Sequence, residues 1–399
     1  MSLKEKNIIL GICGGIAAYK SADLISKLTK IGANVHVVMT KSAMEFITPL
    51  TLETLSGNRV FTNLFPPPKG DSLVHIALAS KADIIVVAPA TANTLGKFAH
   101  GIADNLLCTL ILATQAPILV CPAMNTNMWQ NEIVKANVQR LKDMGFYFVE
   151  PEWGELACDV EGYGRLAEVE AIVDEIRAIL SSKDLAGEKV LVTAGSTQEP
   201  LDPVRFLSNP SSGKMGYAMA RVARRRGAQV TLVTGPTTLI PPRGVKVLRV
   251  KTALEMREAV LDNLEDASII VKAAAVSDFR PQKFSDKKVE KTQGKMEIGL
   301  KRNPDILKEL GKKKGNRILV GFAAETHDII KHAQKKLKEK NVDLMVVNPI
   351  GTPGAGFESD TNIVKILDRK GDIVELPLMT KEKVAEEIWD KVAEIIRSG

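Results

Sequence analysis

The chain has little of what would make it secreted, membrane-bound or metal-stapled. Its four cysteines, at 13, 108, 121 and 158, show no CxxC spacing. That excludes a disulfide framework and a cysteine zinc site. The five histidines, at 36, 75, 100, 327 and 332, form no ligand pattern with them. No apolar run approaches the roughly 18 residues of a membrane span. The start, MSLKEKNIILGICGG, runs straight into a strand with no signal-peptide pattern, so the expected location is the cytoplasm. Aromatic residues make up only 5%, and no nucleic-acid-binding motif accompanies them. Neither G-x-G-x-x-G nor GxxxxGK[ST] occurs.

What is present is a globular composition, 45% apolar and 25% charged, in 399 residues. That length suits two α/β domains, each able to bury its own core. Charge is unevenly spread: residues 1–182 carry a net −3 and residues 183–399 a net +10. A basic second half suits a polyanionic ligand such as a nucleoside triphosphate. Apolar runs at 7–12, 34–40, 83–90 and 117–123 read as buried strands between amphipathic helices. A second set follows at 188–193, 229–234, 245–250, 268–273, 317–321 and 343–348. NIVKILDRKGDIVELP reads as a hairpin about Lys370-Gly371, and residues 380–397 as a closing helix. Residues 150–165, EPEWGELACDVEGYGR, show no period and read as a glycine-rich loop. The expectation is α/β: two doubly wound, mostly parallel-sheet domains in tandem. They span 1–181 and 188–399, with a linker at 182–187.

Each half opens on strand, glycine turn and helix, where α/β proteins hold phosphates. In the first, NIILGICGGIAAYKSA, Gly14 and Gly15 open backbone N–H groups toward a helix start, which favours a mononucleotide. Polar loops follow the next strands at Thr40-Lys41-Ser42, Thr91-Ala92-Asn93 and Met124-Asn125. In a parallel sheet such loops converge on one edge.

GICGGIAAYK, the VHI around His75, APATAN, PAMNTNMW and ELAC…GYGR together resemble the flavin-dependent cysteine decarboxylases, in particular the phosphopantothenoylcysteine decarboxylases, over residues 5–180. The resemblance implies a flavodoxin-like fold. It also implies FMN, with phosphate near Gly14, Gly15 and Ile16 and further contacts from Thr40, Thr91 and Asn93. Flavin would oxidise the substrate thiol to a thioaldehyde, an electron sink that lets CO₂ leave. It gives Asn125 the substrate carboxylate, His75 a proton transfer, and Cys158 the role of acid in the final reduction. Two positions depart from the pattern. Cys13 stands where a hydroxyl is common and would weaken one phosphate hydrogen bond. Asp159 follows Cys158 where glycine is expected, and its charge would disfavour the thiolate.

In the second half, VTAGSTQEPLDPVRFLSNPSSGKMG, KAAAVSDFRP, KKVEK, NPDIL and GFAAET, with the helix KHAQKKLKEKNVD, resemble the phosphopantothenate–cysteine ligases over residues 186–398. This implies a Rossmann-like fold, CTP and Mg²⁺. The substrate carboxylate would attack the α-phosphate, forming an acyl-cytidylate and releasing pyrophosphate, and the cysteine amine would then attack the carbonyl. Asn209 would act on the acyl-cytidylate and Lys288 would neutralise the phosphates. Ala274, Asp278, Asn303, Pro304, Asp305, Ile306, Phe322, Lys336 and Lys340 would line the nucleotide site, with Asp278 also at the metal. Lys336 and Lys340, four apart, would share a helix face. The joint resemblance implies a bifunctional coenzyme A biosynthesis enzyme acting on 4′-phosphopantothenate, cysteine and 4′-phosphopantothenoylcysteine. It also implies a homo-oligomer, a dodecamer of decarboxylase trimers and ligase dimers, without nucleic-acid or membrane partners. The alternatives are another flavodoxin-like flavoenzyme, such as a flavin prenyltransferase, fused to an inactive nucleotide domain, and a regulatory flavoprotein without catalysis.

Overall fold

The structure, a computed structural model, describes residues 3–65, 73–157, 161–288, 297–325, 327–349, 356 and 358–398. The chain divides into two compact units, Met1–Ser181 and Ser182–Gly399.

In the first unit, β1 (Asn7–Ile12), β2 (Asn34–Met39), β3 (Ile84–Ala90), β4 (Ile118–Pro122) and the short β5 (Tyr147–Phe148) form one sheet in the order β2-β1-β3-β4-β5. All its pairings are parallel. This is the flavodoxin strand order. The strands read as unbroken apolar runs because both faces are covered. Helices Lys20–Lys30, Pro49–Ser56 and Val169–Leu180 cover one face over a core that includes Ile8, Leu10, Val37 and Val86. Helices Val74–Lys81, Ala92–His100, Leu106–Ala113 and Glu132–Asp143 cover the other, over Ile9, Val38, Val87 and Val120.

Residues 150–165 are not the aperiodic loop expected from sequence. β6 (Glu152–Glu155) and β7 (Glu161–Arg165) pair antiparallel, and Trp153 meets Tyr163 edge to face at 5.3 Å. The glycines that masked the strand period serve close approach. A Cβ on Gly164 would sit 2.1 Å from the Met124 carbonyl oxygen, and one on Gly162 would sit 2.3 Å from Thr126 Oγ1.

In the second unit the main strands are β8 (Lys189–Ala194), β11 (Gln229–Thr234), β12 (Lys246–Arg249), β13 (Ile269–Lys272), β16 (Ile318–Glu325), β17 (Leu344–Pro349), β18 (Thr361–Asp368) and β19 (Ile373–Thr380). Two small ribbons, β9 (Gln198–Pro200) with β10 (Phe206–Ser208) and β14 (Phe279–Pro281) with β15 (Leu300–Arg302), lie in the loops after β8 and β13. The main sheet runs β12-β11-β8-β13-β16-β17-β18-β19. Its first six strands are parallel in the Rossmann order, and β18–β19 is the antiparallel hairpin expected about Lys370-Gly371. β16 runs four residues past the sequence expectation, through Phe322 to Glu325. Helices Lys214–Arg225 and Lys381–Ser398 pack on one face, where buried Trp389 Nε1 donates to Met219 O at 3.0 Å. Ala253–Asp262, Ile306–Lys313 and Ile329–Glu339 pack on the other.

Residues 182–187, read as a linker, are part of this second fold. Leu185 is fully buried in its core, and Asp184 accepts from Arg226 Nε at 2.9 Å. Burial raises the Asp184 carboxyl, but the Arg226 guanidinium beside it wins and holds it below the ordinary range.

Helix Lys214–Arg225 lies directly against β8 because Gly216 has no side chain: a Cβ there would meet Ala194 Cβ at 2.5 Å and Thr193 O at 2.8 Å. Both obstacles are core atoms of a central strand, so the helix itself must move. Gly216→Ala is therefore expected to destabilise the second unit by about 1–3 kcal/mol despite the better helix propensity of alanine. Melting should show the loss in the second unit's transition and leave that of the first unchanged. No helix among the described residues is long and apolar enough to cross a membrane.

Candidate functional site

In the first unit the loops after β1, β2, β3 and β4 meet at the carboxyl edge of the sheet, where open α/β sheets bind ligands. Gly14 is required by the protein itself, since a Cβ would stand 2.4 Å from Ser42 Cβ. Gly15 is not: its φ of −170° suits any residue, and a Cβ would find only Thr91 Cγ2, at 4.0 Å. A glycine that packing does not need leaves room for a ligand against the backbone. Ile16, 61% exposed, follows at the start of the helical turn Ile16–Tyr19. Thr40 N–H donates to Ile12 O at 3.0 Å, tying the second loop to the first. Thr91 caps helix Ala92–His100, accepting from Thr94 N–H at 3.3 Å, and Asn93 is exposed in its first turn.

Cys13 does not face this crevice as a weak phosphate donor. Its thiol is buried in the core and accepts from Thr94 Oγ1 at 3.2 Å. Burial pushes it up to about 11 against the hydrogen bonds of Thr94 and Thr91, so it stays protonated and inert. Thr94, which the sequence reading passed over, is the residue that turns it inward.

Asn125 sits exposed at the end of the β4 loop, and its Oδ1 accepts from Asn127 N–H at 2.8 Å. The preceding residue is clasped to the hairpin, with Met124 N–H donating to Gly164 O at 3.0 Å. His75 stands in the first turn of helix Val74–Lys81, which runs back toward β3 and so starts on the strand carboxyl side. Its Nδ1 is buried with no hydrogen-bond partner among the described residues. Cys158 and Asp159 lie outside the described residues, between β6 and β7.

In the second unit, β8 ends in a backbone-to-backbone junction. A Cβ on Gly235 would stand 2.0 Å from Ser196 O, and one on Gly213 would stand 3.1 Å from Gly195. The loop after β13 is stitched to it: Ala274 N–H donates to Thr193 Oγ1 at 3.2 Å, Ala275 N–H to Gly195 O at 2.9 Å, and Ser277 N–H to Thr197 Oγ1 at 3.1 Å. Asn209 joins the same loop, its Nδ2 donating to Ala275 O at 3.3 Å and Val276 O at 3.2 Å. Two carbonyls fix the amide orientation and leave Oδ1 as the outward acceptor. Asn209, Ala274 and Asp278 are thus brought to one loop cluster.

The Asn303–Ile306 stretch lies beside it but offers less side chain than expected. Asn303 is buried, donates Nδ2 to Ser277 O at 2.8 Å and accepts from Arg280 at 2.6 Å. Ile306 is buried in the core. Both therefore position backbone, with Pro304 half-buried between them and the exposed Asp278 accepting from Asn303 N–H at 2.8 Å. Asp305 caps helix Ile306–Lys313 and pairs with Lys340 Nζ at 3.0 Å. Burial raises its carboxyl, but the Lys308 amide and Lys340 together hold it below the ordinary range. Lys336 and Lys340 do not act as one pair of free cations. Lys336 lies in helix Ile329–Glu339 and pairs with Glu325 at 2.5 Å, whereas Lys340 follows the helix and pairs with Asp305. Phe322 is half-buried on β16 against the core. Lys288 is exposed on the arm joining β14 to β15, three residues after Ser285 N–H donates to Leu201 O at 3.1 Å.

Among the described residues no group of three or more His, Cys, Asp or Glu side chains forms a metal site. Asp278 alone still suits Mg²⁺, which usually binds one or two carboxylates and completes its shell with water and substrate phosphates.

Residues 1–181 match the family described as Flavoprotein, and residues 185–396 match the DNA/pantothenate metabolism flavoprotein C-terminal domain. The chain is 48% identical over 395 residues to the Coenzyme A biosynthesis bifunctional protein CoaBC of Bacillus subtilis (strain 168), covering 98% of this chain and 97% of that one. It is 42% identical to its namesake in Escherichia coli (strain K12), covering 98% of each. A Cysteine/Cysteine sulfinic acid decarboxylase from an unknown prokaryotic organism is 45% identical, covering 88% of this chain and 99% of that one. The crystal structure of the C-terminal domain of a Coenzyme A biosynthesis bifunctional protein CoaBC superposes with a TM-score of 0.48 at 42% identity, over 55% of this chain and 100% of that one.

Proposed function

Because the chain belongs to the coenzyme A biosynthesis bifunctional proteins, and so is an enzyme of the decarboxylase–ligase type, we propose which residues carry each half-reaction. The observation that carries the reading is the convergence, in each unit, of the motif-bearing loops on the carboxyl edge of a parallel sheet.

In the first unit FMN would lie with its phosphate on the Gly14–Ile16 turn, where the unneeded glycine at 15 leaves space and Thr40, Thr91 and Asn93 border it. When bound, it supplies the two-electron oxidation and reduction of the substrate's thiol carbon. Asn125 directs its amide at the substrate carboxylate, holding it without adding a charge that would oppose loss of CO₂. His75 moves the proton, its Nδ1, which has no hydrogen-bond partner among the described residues, being the atom held ready for a group that arrives with the substrate. Cys158 returns a proton at the last step. Cys158→Ser should accordingly still release CO₂ but accumulate the oxidised, unsaturated thiol. Full yield of the saturated product from that variant would remove Cys158 from the chemistry.

In the second unit CTP would lie across the Ala274–Asp278 and Asn303–Ile306 loops, beside Phe322, Lys336 and Lys340, with Mg²⁺ shared between Asp278 and the phosphates. Lys288 reaches in from its arm as the α-phosphate is attacked. Asn209, its donors tied to two carbonyls, presents Oδ1 as an acceptor for the incoming cysteine amine next to the acyl-cytidylate. The substrates are then 4′-phosphopantothenate, cysteine and CTP, and the product of this half is the substrate of the other. The protein would work in the cytoplasm as a homo-oligomer, assembled as a dodecamer from decarboxylase trimers and ligase dimers. Light scattering should give the mass of twelve chains, and a stable monomer would overturn the assembly.

Purified protein should show a flavin absorbance spectrum and release pyrophosphate from CTP once phosphopantothenate is added, with continued turnover only when cysteine is present too. The relative that bears the cysteine decarboxylase name supplies a second reading: CO₂ from cysteine or cysteine sulfinate added alone, with no nucleotide needed, would favour it.

A further inference from the structure

Lys272 ends β13, the strand that leads into the Ala274–Asp278 loop. It opens the motif KAAAVSDFRP, but the resemblance gives it no role. Its position in the strand puts it on the face of Ile270, above helices Ile306–Lys313 and Ile329–Glu339, and its Nζ folds under the loop to donate to Ala274 O at 2.7 Å. That neutral carbonyl is its one hydrogen-bond partner among the described residues. The charges that face it are Lys340 from beyond helix Ile329–Glu339, Asp305 from the cap of helix Ile306–Lys313, and Asp278 from its own loop. Asp305 is already paired with Lys340 at 3.0 Å. Lys272 therefore stands as a second cation beside a first, with two of its three protons unassigned. Burial lowers it to about 8, and Lys340 adds to that. Lys272 is half-buried, and an ammonium partly withdrawn from water with one neutral acceptor is costly unless an anion completes its shell.

We propose that Lys272 is a polyphosphate-binding residue of the ligase site, forming with Lys340 a two-ammonium cradle for the charged end of a nucleoside triphosphate. The proposal rests on the nucleotide-site reading of this loop cluster. The cradle holds the pyrophosphate portion, while Lys288 acts only as the bond breaks. A residue in this role distinguishes ligands by phosphate number and not by base or ribose.

The test is titration of the full-length protein in Mg²⁺ buffer with CTP, CMP and inorganic pyrophosphate, for the wild type, Lys272→Met and Lys272→Arg. Removing a charge-assisted contact should weaken CTP and pyrophosphate by roughly tenfold to a hundredfold in Lys272→Met, with CMP changed by less than about threefold and most of the loss regained in Lys272→Arg. Equal weakening of CTP and CMP would overturn the proposal, since Lys272 would then act through the shape of the Ala274 loop or on the base. Unchanged CTP affinity would overturn it too. Failure of the wild type to bind any nucleotide would instead defeat the nucleotide-site reading, and the proposal with it. A matching melting curve for Lys272→Arg guards against a folding defect in the methionine variant.

Discussion

Lys288→Gln is expected to reduce pyrophosphate release by about a hundredfold to a thousandfold, the scale of losing one group that meets developing charge in a transition state. The variant should melt like the wild type. Lys288 is exposed on the arm between β14 and β15, and no hydrogen bond or ion pair ties it to the described residues. Surface substitutions of that kind move stability by no more than about 0.5 kcal/mol. Lys340 makes a poorer test. It is paired with Asp305 at 3.0 Å, and Asp305 caps helix Ile306–Lys313, so lost binding mixes with a change in local structure. Two backbone hydrogen bonds fix the chain that leads to Lys288. Gln282 N–H donates to Gly299 O at 2.8 Å and Ser285 N–H to Leu201 O at 3.1 Å, both before the residue in question. Supplying 4′-phosphopantothenoylcysteine directly should restore CO₂ release to the wild-type rate, because that step needs only the first unit. Pyrophosphate release that is unchanged in Lys288→Gln would take Lys288 out of the activation step.

The parallel sheets were legible because a strand buried on two faces reads as an unbroken apolar run. NIILGI, IIVVAPA and KVLVTA carry no polar alternation to confuse with a surface strand. The converging loops followed from the same parallel architecture. What stayed hidden were features whose cause lies across the fold. Gly162 and Gly164 look like loop residues until their contact with Thr126 and Met124 shows why a strand carries them. Cys13 looks ligand-facing until Thr94, from another element, is seen to hold its thiol inward. Asn303 and Ile306 belong to a motif read as ligand contacts, yet their side chains hold the loop from behind. Lys272 had a visible signal that went unused: a lysine ending the apolar run IIVK of a central strand.

Gly164→Ala should separate the two half-reactions from the other side, lowering decarboxylation by about a hundredfold with ligation untouched. A methyl group here would stand 2.1 Å from the Met124 carbonyl oxygen, and that neighbour is backbone, which cannot rotate away. The hairpin of β6 and β7 must lift, breaking the 3.0 Å hydrogen bond from Met124 N–H to Gly164 O. Asn125 is the next residue along, so the displacement spoils the placement of the residue proposed to bind the substrate carboxylate. Effects of about 1 Å on groups that must meet one small substrate are felt in rate long before they are felt in stability. Gly162→Ala supplies the control. Its methyl would meet Thr126 side-chain atoms, Oγ1 at 2.3 Å and Cγ2 at 2.9 Å. The Thr126 hydroxyl has no hydrogen-bond partner among the described residues, so it can turn aside at small expense. The alanine at 162 should therefore keep most of the CO₂ release that the alanine at 164 loses, with flavin absorbance retained in both. Equal loss in the two variants would mean that the hairpin as a whole, and not its clasp on the Asn125 loop, sets the rate.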